Sequence, residues 1–231
     1  MGGKSGKNDQ VFKMKRYSLY RLLDFPFIYS LSQKLLVPGA GLLLKKKYKQ
    51  LFDESKGLIL DVGCGPALTT PHPNGAVIGI DMNIYYIRSY LMSHGKLNFC
   101  RKMSDFITYG VVSSSEALPF EDDAFEESRC VGLLHHLSHA SALLIIKEMI
   151  RCTHQDGRIV VFDNVWPRQP CFRPLAWLSR KLDRGKWVRT EEDLLELVSN
   201  ACVGNYQYKR FTYSYTGLEA LSVIIKKSEG V

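Results

Sequence analysis

Residues 58–65, Leu-Ile-Leu-Asp-Val-Gly-Cys-Gly, indicate a nucleotide-binding fold. Branched apolar residues, typical of a buried strand, lead into an acid and a glycine-spaced turn. A reduced copy of this pattern, Val-Ile-Gly-Ile-Asp, follows at residues 77–81. Glycine lets backbone N–H groups approach a ligand closely, and an acid ending the next strand can accept hydrogen bonds from ribose hydroxyls. The two segments together therefore predict a nucleotide pocket.

The turn also indicates which nucleotide is bound. A dinucleotide pocket needs Gly-x-Gly-x-x-Gly, but here Ala67 stands where the third glycine is required. Asp61 would also repel a pyrophosphate, whereas an acid at this position suits a ligand with a cationic amine. S-adenosylmethionine carries an ammonium, a sulfonium and a ribose but no phosphate. The turn therefore favours this cofactor over a dinucleotide.

Four sequence blocks carry a resemblance to a known family. They are Leu-Asp-Val-Gly-Cys-Gly-Pro at 60–66, Ile-Gly-Ile-Asp at 78–81, Ser-Glu-Ala-Leu-Pro-Phe at 115–120 with Leu-Leu-His-His-Leu at 133–137, and Asp-Gly-Arg-Ile-Val-Val at 156–161. In this order and at these spacings the chain resembles class I S-adenosylmethionine-dependent methyltransferases, the group that includes the ubiquinone and menaquinone biosynthesis methyltransferases. The resemblance covers roughly residues 57–165 and says little about the methyl acceptor.

The resemblance implies a set of cofactor-binding residues at the ends of the strands. Gly63 to Gly65 would wrap the methionine portion, Asp81 would hold the ribose and Met82 would pack on the adenine. The full set is Asp61, Gly63, Cys64, Gly65, Asp81, Met82, Ser114, Ser115, Glu116, Leu133 and Leu134. The chain departs from the family pattern at two positions. Relatives usually carry a third glycine where this chain has Ala67. At the position of Ser114 they usually carry an acid that reads the adenine amino group.

Apolar runs that alternate with helical patterns predict an α/β fold. We expect a Rossmann-like, doubly wound sheet, mostly parallel, with an antiparallel hairpin at its C-terminal edge and an N-terminal helical cap. The expected divisions are a disordered polar segment at 1–11, the cap at 12–55 and the methyltransferase domain at 56–231, with a substrate-side insert at 165–189. Strand four is expected at about 128–134.

His135 and His136 are the candidate catalytic residues, because they follow strand four where the methyl group would lie. Histidine is the side chain best suited to act as a base near neutral pH. Since successive strand residues face opposite ways, at most one of the two is expected to point into the pocket. Alternatively, one packs and the other bonds a loop carbonyl. The acids at 121–123 suggest a solvated loop, and no metal is predicted.

Charge is divided unevenly along the chain. Residues 1–50 carry a net charge of +9, residues 51–165 of −5 and residues 166–231 of +4. Basic flanks around an acidic core predict a lid for an anionic acceptor, an anionic carrier or a membrane surface; the alternative is a solvated basic face. A short helix at 172–182 has an apolar stripe, which would either roof the acceptor or dock on the first helices. The stripe comprises Phe172, Leu175, Leu178 and Leu182.

These observations predict methyl transfer to a small-molecule or lipid-like acceptor, with O-, C- and N-methylation all left open. A non-catalytic, cofactor-binding regulatory or partner protein is one alternative, and an RNA methyltransferase is another. RNA is disfavoured because Leu-His-His-Leu stands where base amino-group methyltransferases commonly carry Asn/Asp-Pro-Pro-Tyr. Six scattered cysteines indicate reduced thiols in the cytoplasm, with peripheral membrane contact as a further possibility. The sequence does not predict an oligomeric state.

Overall fold

The structure is a computed structural model that describes residues 40–52, 55–66, 74–100, 107–181, 185–202 and 205–227. The expected disordered segment at 1–11 and most of the expected helical cap lie outside these residues. Ala67 lies outside them as well.

The described residues form a seven-stranded sheet of order β3-β2-β1-β4-β5-β7-β6. The strands are β1 (Lys56–Val62), β2 (Asn74–Asp81), β3 (Ile107–Val112), β4 (Phe125–Val131), β5 (Thr153–Val165), β6 (Tyr206–Thr212) and β7 (Glu219–Lys226). Strands β1 to β5 are parallel, whereas β7 runs antiparallel to both β5 and β6. This confirms the predicted sheet, with β6 of the C-terminal hairpin at the edge and β7 inside.

Helices cover both faces of the sheet. They are α1 (Ala40–Phe52), α2 (Ile84–Cys100), α3 (His139–Cys152), α4 (Pro174–Lys181) and α5 (Glu191–Ala201). Helices α3 and α5 share the largest buried cluster with the sheet. Helices α1 and α4 contribute Tyr48, Phe52 and Ala176 to a second cluster, which contains Val160 and Phe162 of β5. Because Val161 of β5 belongs to the first cluster, these helices lie on opposite faces of the sheet.

Side-chain caps fix the helices that flank the site. Ser138 Oγ accepts a hydrogen bond from the N–H of Ser141 at 3.2 Å and caps α3. Thr190 and Asp193 form a capping box at the start of α5, with hydrogen bonds of 3.1 and 3.2 Å. A capping box satisfies two backbone N–H groups that a helix start otherwise leaves unpaired. Helix α5 therefore begins directly after the insert.

Strand four ends earlier than the sequence predicts. Strand β4 stops at Val131, and residues Leu134–His136 form a short 3-10 turn. The cause is Gly132, whose φ of +67° leaves the extended region and ends the strand. His135 and His136 therefore do not alternate along a strand, and the premise of the prediction about their directions was wrong. The two side chains nevertheless differ in environment, because His135 is buried and His136 is exposed.

Candidate functional site

The sheet has its switch point between β1 and β4. From β1 the chain moves outward to β2 and β3, and it then returns to β4 on the other side of β1. Ligands of open α/β sheets bind beyond the carboxyl ends of the strands at such a point. The glycine turn at 63–65 follows β1 there, and the histidine turn at 134–136 follows β4. Most of the predicted site residues thus belong to one edge of the sheet.

The glycine turn is tied to the end of β2. The N–H of Gly65 donates to Asp81 Oδ2 at 3.2 Å, and the N–H of Asn83 donates to Asp81 Oδ1 at 2.8 Å. Gly63 and Gly65 have φ values of +65° and +64°, which residues other than glycine rarely adopt. A Cβ on Gly65 would meet no heavy atom of the described residues within 4 Å, so this side of the turn is open with respect to them. The structure therefore brings Gly65 and Asp81 together.

Gly63 contacts the turn after β4 instead of open space. A Cβ on Gly63 would lie 2.7 Å from Leu133 Cδ2, so the absence of a side chain lets the two loops touch. The N–H of Cys64 donates to the carbonyl of Ile80 at 3.0 Å. Burial raises the pKa of the Cys64 thiol well above its ordinary value, helped by the charges of Asp61 and Asp81. Cys64 is therefore a neutral thiol.

Asp61 is buried at the end of β1 and is 5% exposed. Its Oδ2 accepts a hydrogen bond from the hydroxyl of Tyr90 at 3.2 Å. Burial raises the pKa of Asp61, although the charge of Arg129 and the Tyr90 hydrogen bond oppose this. A second cation placed next to Asp61, in addition to Arg129, would lower this pKa further and favour the carboxylate. Sequence reasoning missed Tyr90, because no local pattern links this residue of α2 to β1.

The residues predicted at the adenine side follow β2 and β3. Met82 is 76% exposed directly after Asp81. The N–H of Glu116 donates to Ser114 Oγ at 3.2 Å, so this hydroxyl closes a local turn. Ser115 is buried, whereas Ser114 and Glu116 are exposed. The N–H of Ser113 donates to the carbonyl of Asp81 at 3.3 Å and joins the two strand ends.

His135 and Asp163 form a buried dyad. His135 Nδ1 lies 2.5 Å from Asp163 Oδ1, and the N–H of His135 donates to Asp163 Oδ2 at 3.0 Å. Burial alone would raise the pKa of Asp163, but the charge of His135 and its hydrogen bond lower it. An ionised Asp163 places a proton on Nδ1 and leaves the lone pair of the neutral ring on Nε2. Asp163 itself was missed, although it ends a buried apolar run as Asp61 and Asp81 do.

The end of the insert packs over the histidine turn. Arg189 donates from Nη1 to the carbonyl of Leu134 at 2.7 Å and from Nη2 to the carbonyl of Leu137 at 3.0 Å. The N–H of Trp187 donates to the carbonyl of His135 at 3.0 Å. A Cβ on Gly185 would lie 2.3 Å from His135 Cδ2. Residues 185–189 therefore hold the backbone and ring of His135 in place.

An ion network fastens the other end of the insert. Arg210 of β6 pairs with Glu219 of β7 at 2.5 Å and with Glu191 of α5 at 2.8 Å. Arg168 pairs with Glu191 at 2.8 Å, and Arg173 pairs with Glu219 at 2.5 Å. Both glutamates are 6% exposed, so their charges need these partners. The network links the insert to the C-terminal hairpin and to α5.

The predicted apolar stripe begins at Phe172, in the 3-10 turn Pro170–Phe172, and continues in helix α4. Phe172, Leu175 and Leu178 are 82%, 62% and 47% exposed, respectively. The helix buries Ala176 and Arg180 against the domain instead. Leu182, the fourth residue of the expected stripe, lies outside the described residues. Among the described residues these three side chains are exposed and do not pack against α1, whereas most of the expected N-terminal helices lie outside those residues.

The acidic loop at 121–123 is paired with basic side chains. Asp122 pairs with Arg151 and Asp123 with Lys227, each at 2.6 Å. Within the described part of the chain, no three His, Cys, Asp or Glu side chains stand where they could share a metal ion. None of the helices in that same part is long and apolar enough to span a bilayer.

Comparison with protein families identifies the class. Residues 60–161 match a family described as a methyltransferase domain. The match begins in β1 and ends in β5, so it includes the glycine turn, Asp81 and the histidine turn. This match confirms the predicted resemblance to S-adenosylmethionine-dependent methyltransferases, and it agrees with the enzyme and cofactor predictions. A search of curated protein sequences finds no match.

Solved structures share the fold at low sequence identity. YcgJ from Bacillus subtilis is 18% identical with a TM-score of 0.56, and the alignment covers 81% of this chain and 99% of that one. A S-adenosylmethionine-dependent methyltransferase from Aquifex aeolicus is 16% identical with a TM-score of 0.58, covering 90% and 96%. Geranyl diphosphate C-methyltransferase from Streptomyces coelicolor, solved with Mg²⁺, geranyl diphosphate and S-adenosylhomocysteine, is 12% identical with a TM-score of 0.58, covering 79% and 78%.

Proposed function

We propose that this enzyme transfers the methyl group of S-adenosylmethionine to an anionic, lipid-like small molecule. The observation that carries the proposal is the meeting of two loops at the switch point. Gly63 of the cofactor turn touches Leu133, and two residues further along the chain His135 pairs with Asp163. A cofactor seated on the glycine turn would therefore present its methyl group near the histidine turn.

Each predicted cofactor residue has a role in this proposal. The backbone of 63–65 wraps the methionine portion, Asp61 faces its ammonium, and Asp81 accepts from the ribose hydroxyls. Met82 and residues 114–116 lie along the adenine. Leu133 and Leu134 form the apolar wall beside the sulfonium, where the exclusion of water favours transfer. The open space beside Gly65 and the buried carboxylate of Asp61 support these assignments.

The chemistry needs alignment more than activation. The methyl group moves from the sulfonium to the acceptor atom by in-line displacement, and the sulfur leaves as a neutral thioether. Alignment alone can lower the barrier by about 7–11 kcal/mol. Where the acceptor atom carries a proton, His135 Nε2 takes it up while Asp163 stabilises the imidazolium. His136, which is exposed, stacks at 4.0 Å on the ring of His135 and is assigned a packing role.

The acceptor class follows from the surface around the insert. The exposed stripe of α4 offers an apolar wall, and the basic flanks of the chain offer cations. The geranyl diphosphate C-methyltransferase acts on an acceptor of this chemistry, an apolar chain with an anionic head. The same stripe next to Lys181 would also suit a membrane surface. We therefore propose peripheral membrane contact as the route by which the acceptor is delivered.

Two measurements test the function. Calorimetric titration with S-adenosylmethionine reports binding, and transfer of labelled methyl to geranyl diphosphate, geraniol and total RNA reports the acceptor class. We expect binding and transfer that prefers the diphosphate over the alcohol. Binding without transfer to acceptors of any class, including a lipid extract, would favour the non-catalytic alternative, and transfer to RNA would favour the RNA alternative.

Sedimentation with vesicles tests the membrane contact. We expect binding to vesicles that contain phosphatidylserine and weaker binding to phosphatidylcholine alone. Leu175→Asp should abolish this binding. Leu144→Asp is the matched control, because Leu144 is equally apolar and 47% exposed but belongs to α3 on the opposite face of the sheet. Equal binding of both variants to these vesicles would show that α4 does not contact the membrane.

A further inference from the structure

Arg129 is a buried cation that lacks a hydrogen-bond partner within the described part of the chain. It lies in the middle of β4 and is 0% exposed. None of its three guanidinium nitrogens has a hydrogen-bond partner among the described residues. Guanidinium is always charged in proteins and carries five N–H donors, so leaving it buried and unpaired is costly. A residue of this kind in a core strand points to a ligand that supplies the missing acceptors.

Arg129 lies at the switch point beside Asp61. The two residues are register partners on neighbouring parallel strands, so their side chains leave the sheet on the same face. The charge of Arg129 counteracts the burial that raises the pKa of Asp61, and it acts in the same way on Tyr90. The ring of Phe52 stacks 4.9 Å from the guanidinium carbon. The guanidinium is thus fixed close to the acid that faces the cofactor turn.

We propose that Arg129 binds the carboxylate of the methionine portion of the cofactor, opposite the ammonium that Asp61 holds. This inference rests on the proposed cofactor site. An α-amino acid carries one cation and one anion on the same carbon, and the pair of Asp61 and Arg129 offers the complementary charges. Guanidinium is well matched to a carboxylate because two parallel N–H groups reach both oxygens. The site therefore recognises the zwitterion as a unit.

An internal partner is the competing explanation. Glu127 lies two residues before Arg129 on the same face, and no described residue forms a hydrogen bond with its Oε1. Its Oε2 accepts from Ser55 at 2.7 Å and from Arg158 at 2.7 Å. A rotation of the Arg129 side chain toward Glu127 would satisfy both groups without a ligand. The two explanations differ in their consequences for binding and for stability.

The binding of two ligands that differ in the amino acid portion decides between a ligand partner and an internal partner for Arg129. S-adenosylhomocysteine carries the zwitterion, whereas methylthioadenosine has the same adenosine and thioether without it. We expect Arg129→Met to lower the affinity for S-adenosylhomocysteine by about 10- to 100-fold, the loss typical of a charge-assisted pair. The affinity for methylthioadenosine should stay within about threefold of the wild-type value. Arg129→Lys should recover part of the loss. Glu127→Gln, the matched control, should leave both affinities within about threefold.

The outcomes separate this inference from the proposed function. Wild-type protein that binds neither ligand would overturn the cofactor site itself. If the wild type binds and Arg129→Met leaves the affinities unchanged, the role of Arg129 alone is overturned. The same holds if Arg129→Met lowers the affinity for both ligands equally. Ligand-free Arg129→Met should melt no lower than wild type, because it removes an unpaired buried charge. A clear fall in Tm would reveal an internal partner instead, and Arg129→Lys keeps the binding test valid if Arg129→Met does not fold.

Discussion

His135 and Asp163, which are 28 residues apart in sequence, are joined through both the imidazole ring and the backbone. One carboxylate oxygen faces Nδ1 and the other accepts from the N–H of the same residue. This double contact fixes the position of the turn after β4 and the tautomer of the ring at once. In the proposed reaction Asp163 is therefore a positioning residue, and His135 is the group that would receive a proton.

Asp163→Asn tests the dyad by its effect on the rate. The amide can still accept a hydrogen bond, but it carries no charge to stabilise an imidazolium. We expect kcat to fall by about 10²- to 10³-fold, within the range of general base catalysis, while cofactor affinity stays within about threefold. Steady-state kinetics with the acceptor measure both quantities. His136→Gln is the control and should retain most of the activity.

The pH dependence of the rate tests the same residues independently. We expect the rate of the wild type to fall below about pH 6, where histidine side chains ordinarily take up a proton. His135→Gln should be slow and should lack this acidic limb, whereas His136→Gln should keep it. A limb that persists in His135→Gln would reduce His135 to a packing residue and leave alignment as the whole mechanism.

Asp163 should also contribute to stability in a pH-dependent way. Its pKa is lowered in the folded state, because the charge and hydrogen bond of His135 outweigh the effect of burial. Such a group stabilises the fold above its unfolded pKa of about 3.9, and the contribution disappears as the pH falls through the folded value. Urea unfolding should therefore find Asp163→Asn less stable than wild type at pH 7. A difference that does not shrink toward pH 3 would contradict this linkage.

Asp81→Ala tests the cofactor site. The substitution removes the proposed ribose acceptor and releases the N–H groups of Gly65 and Asn83. We expect the loss of affinity for S-adenosylhomocysteine to be on the order of 1–3 kcal/mol by calorimetry. Asp156→Ala is the control, because that side chain is 92% exposed. Equal affinities of the two variants would show that Asp81 does not bind the ligand.

Glu219→Gln tests the ion network under the insert. The carboxylate accepts from Arg210 and from the N–H of Arg168, and Arg173 pairs with it. Removing one partner from a buried ion pair typically costs about 3–5 kcal/mol, and we expect the free energy of unfolding to fall by roughly the lower figure. Glu192→Gln is an exposed control on α5. We further expect limited proteolysis to cut between residues 166 and 189 more readily in Glu219→Gln.

Much of the fold was predictable because its signals are local. Asp61 and Asp81 each end an apolar run, and this pattern alone predicts the two strand ends that the structure joins through Gly65. The end of β4 was not predictable in the same way. Residues 131–134 stay apolar through Gly132, and the backbone reversal at that glycine depends on packing against the rest of the domain.

Long-range pairs account for the part of the site that sequence reasoning missed. Asp163 had the signal of an acid after an apolar run, but its pairing with His135 depends on β4 and β5 being neighbours. Arg129 is one charged residue within a strand, and only the sheet order puts it beside Asp61. The face that α4 would bury was also unpredictable, because Ala176 and Arg180 are less apolar than the stripe that it exposes.

The position of β7 between β5 and β6 has a consequence for how the chain matures during synthesis. Strand β6 leaves the ribosome before β7, yet in the sheet it pairs with β7 and not with β5. Until β7 emerges, β5 presents an open edge and β6 has no partner, and unpaired edges are sites of aggregation. Completion of this half of the sheet must therefore await β7.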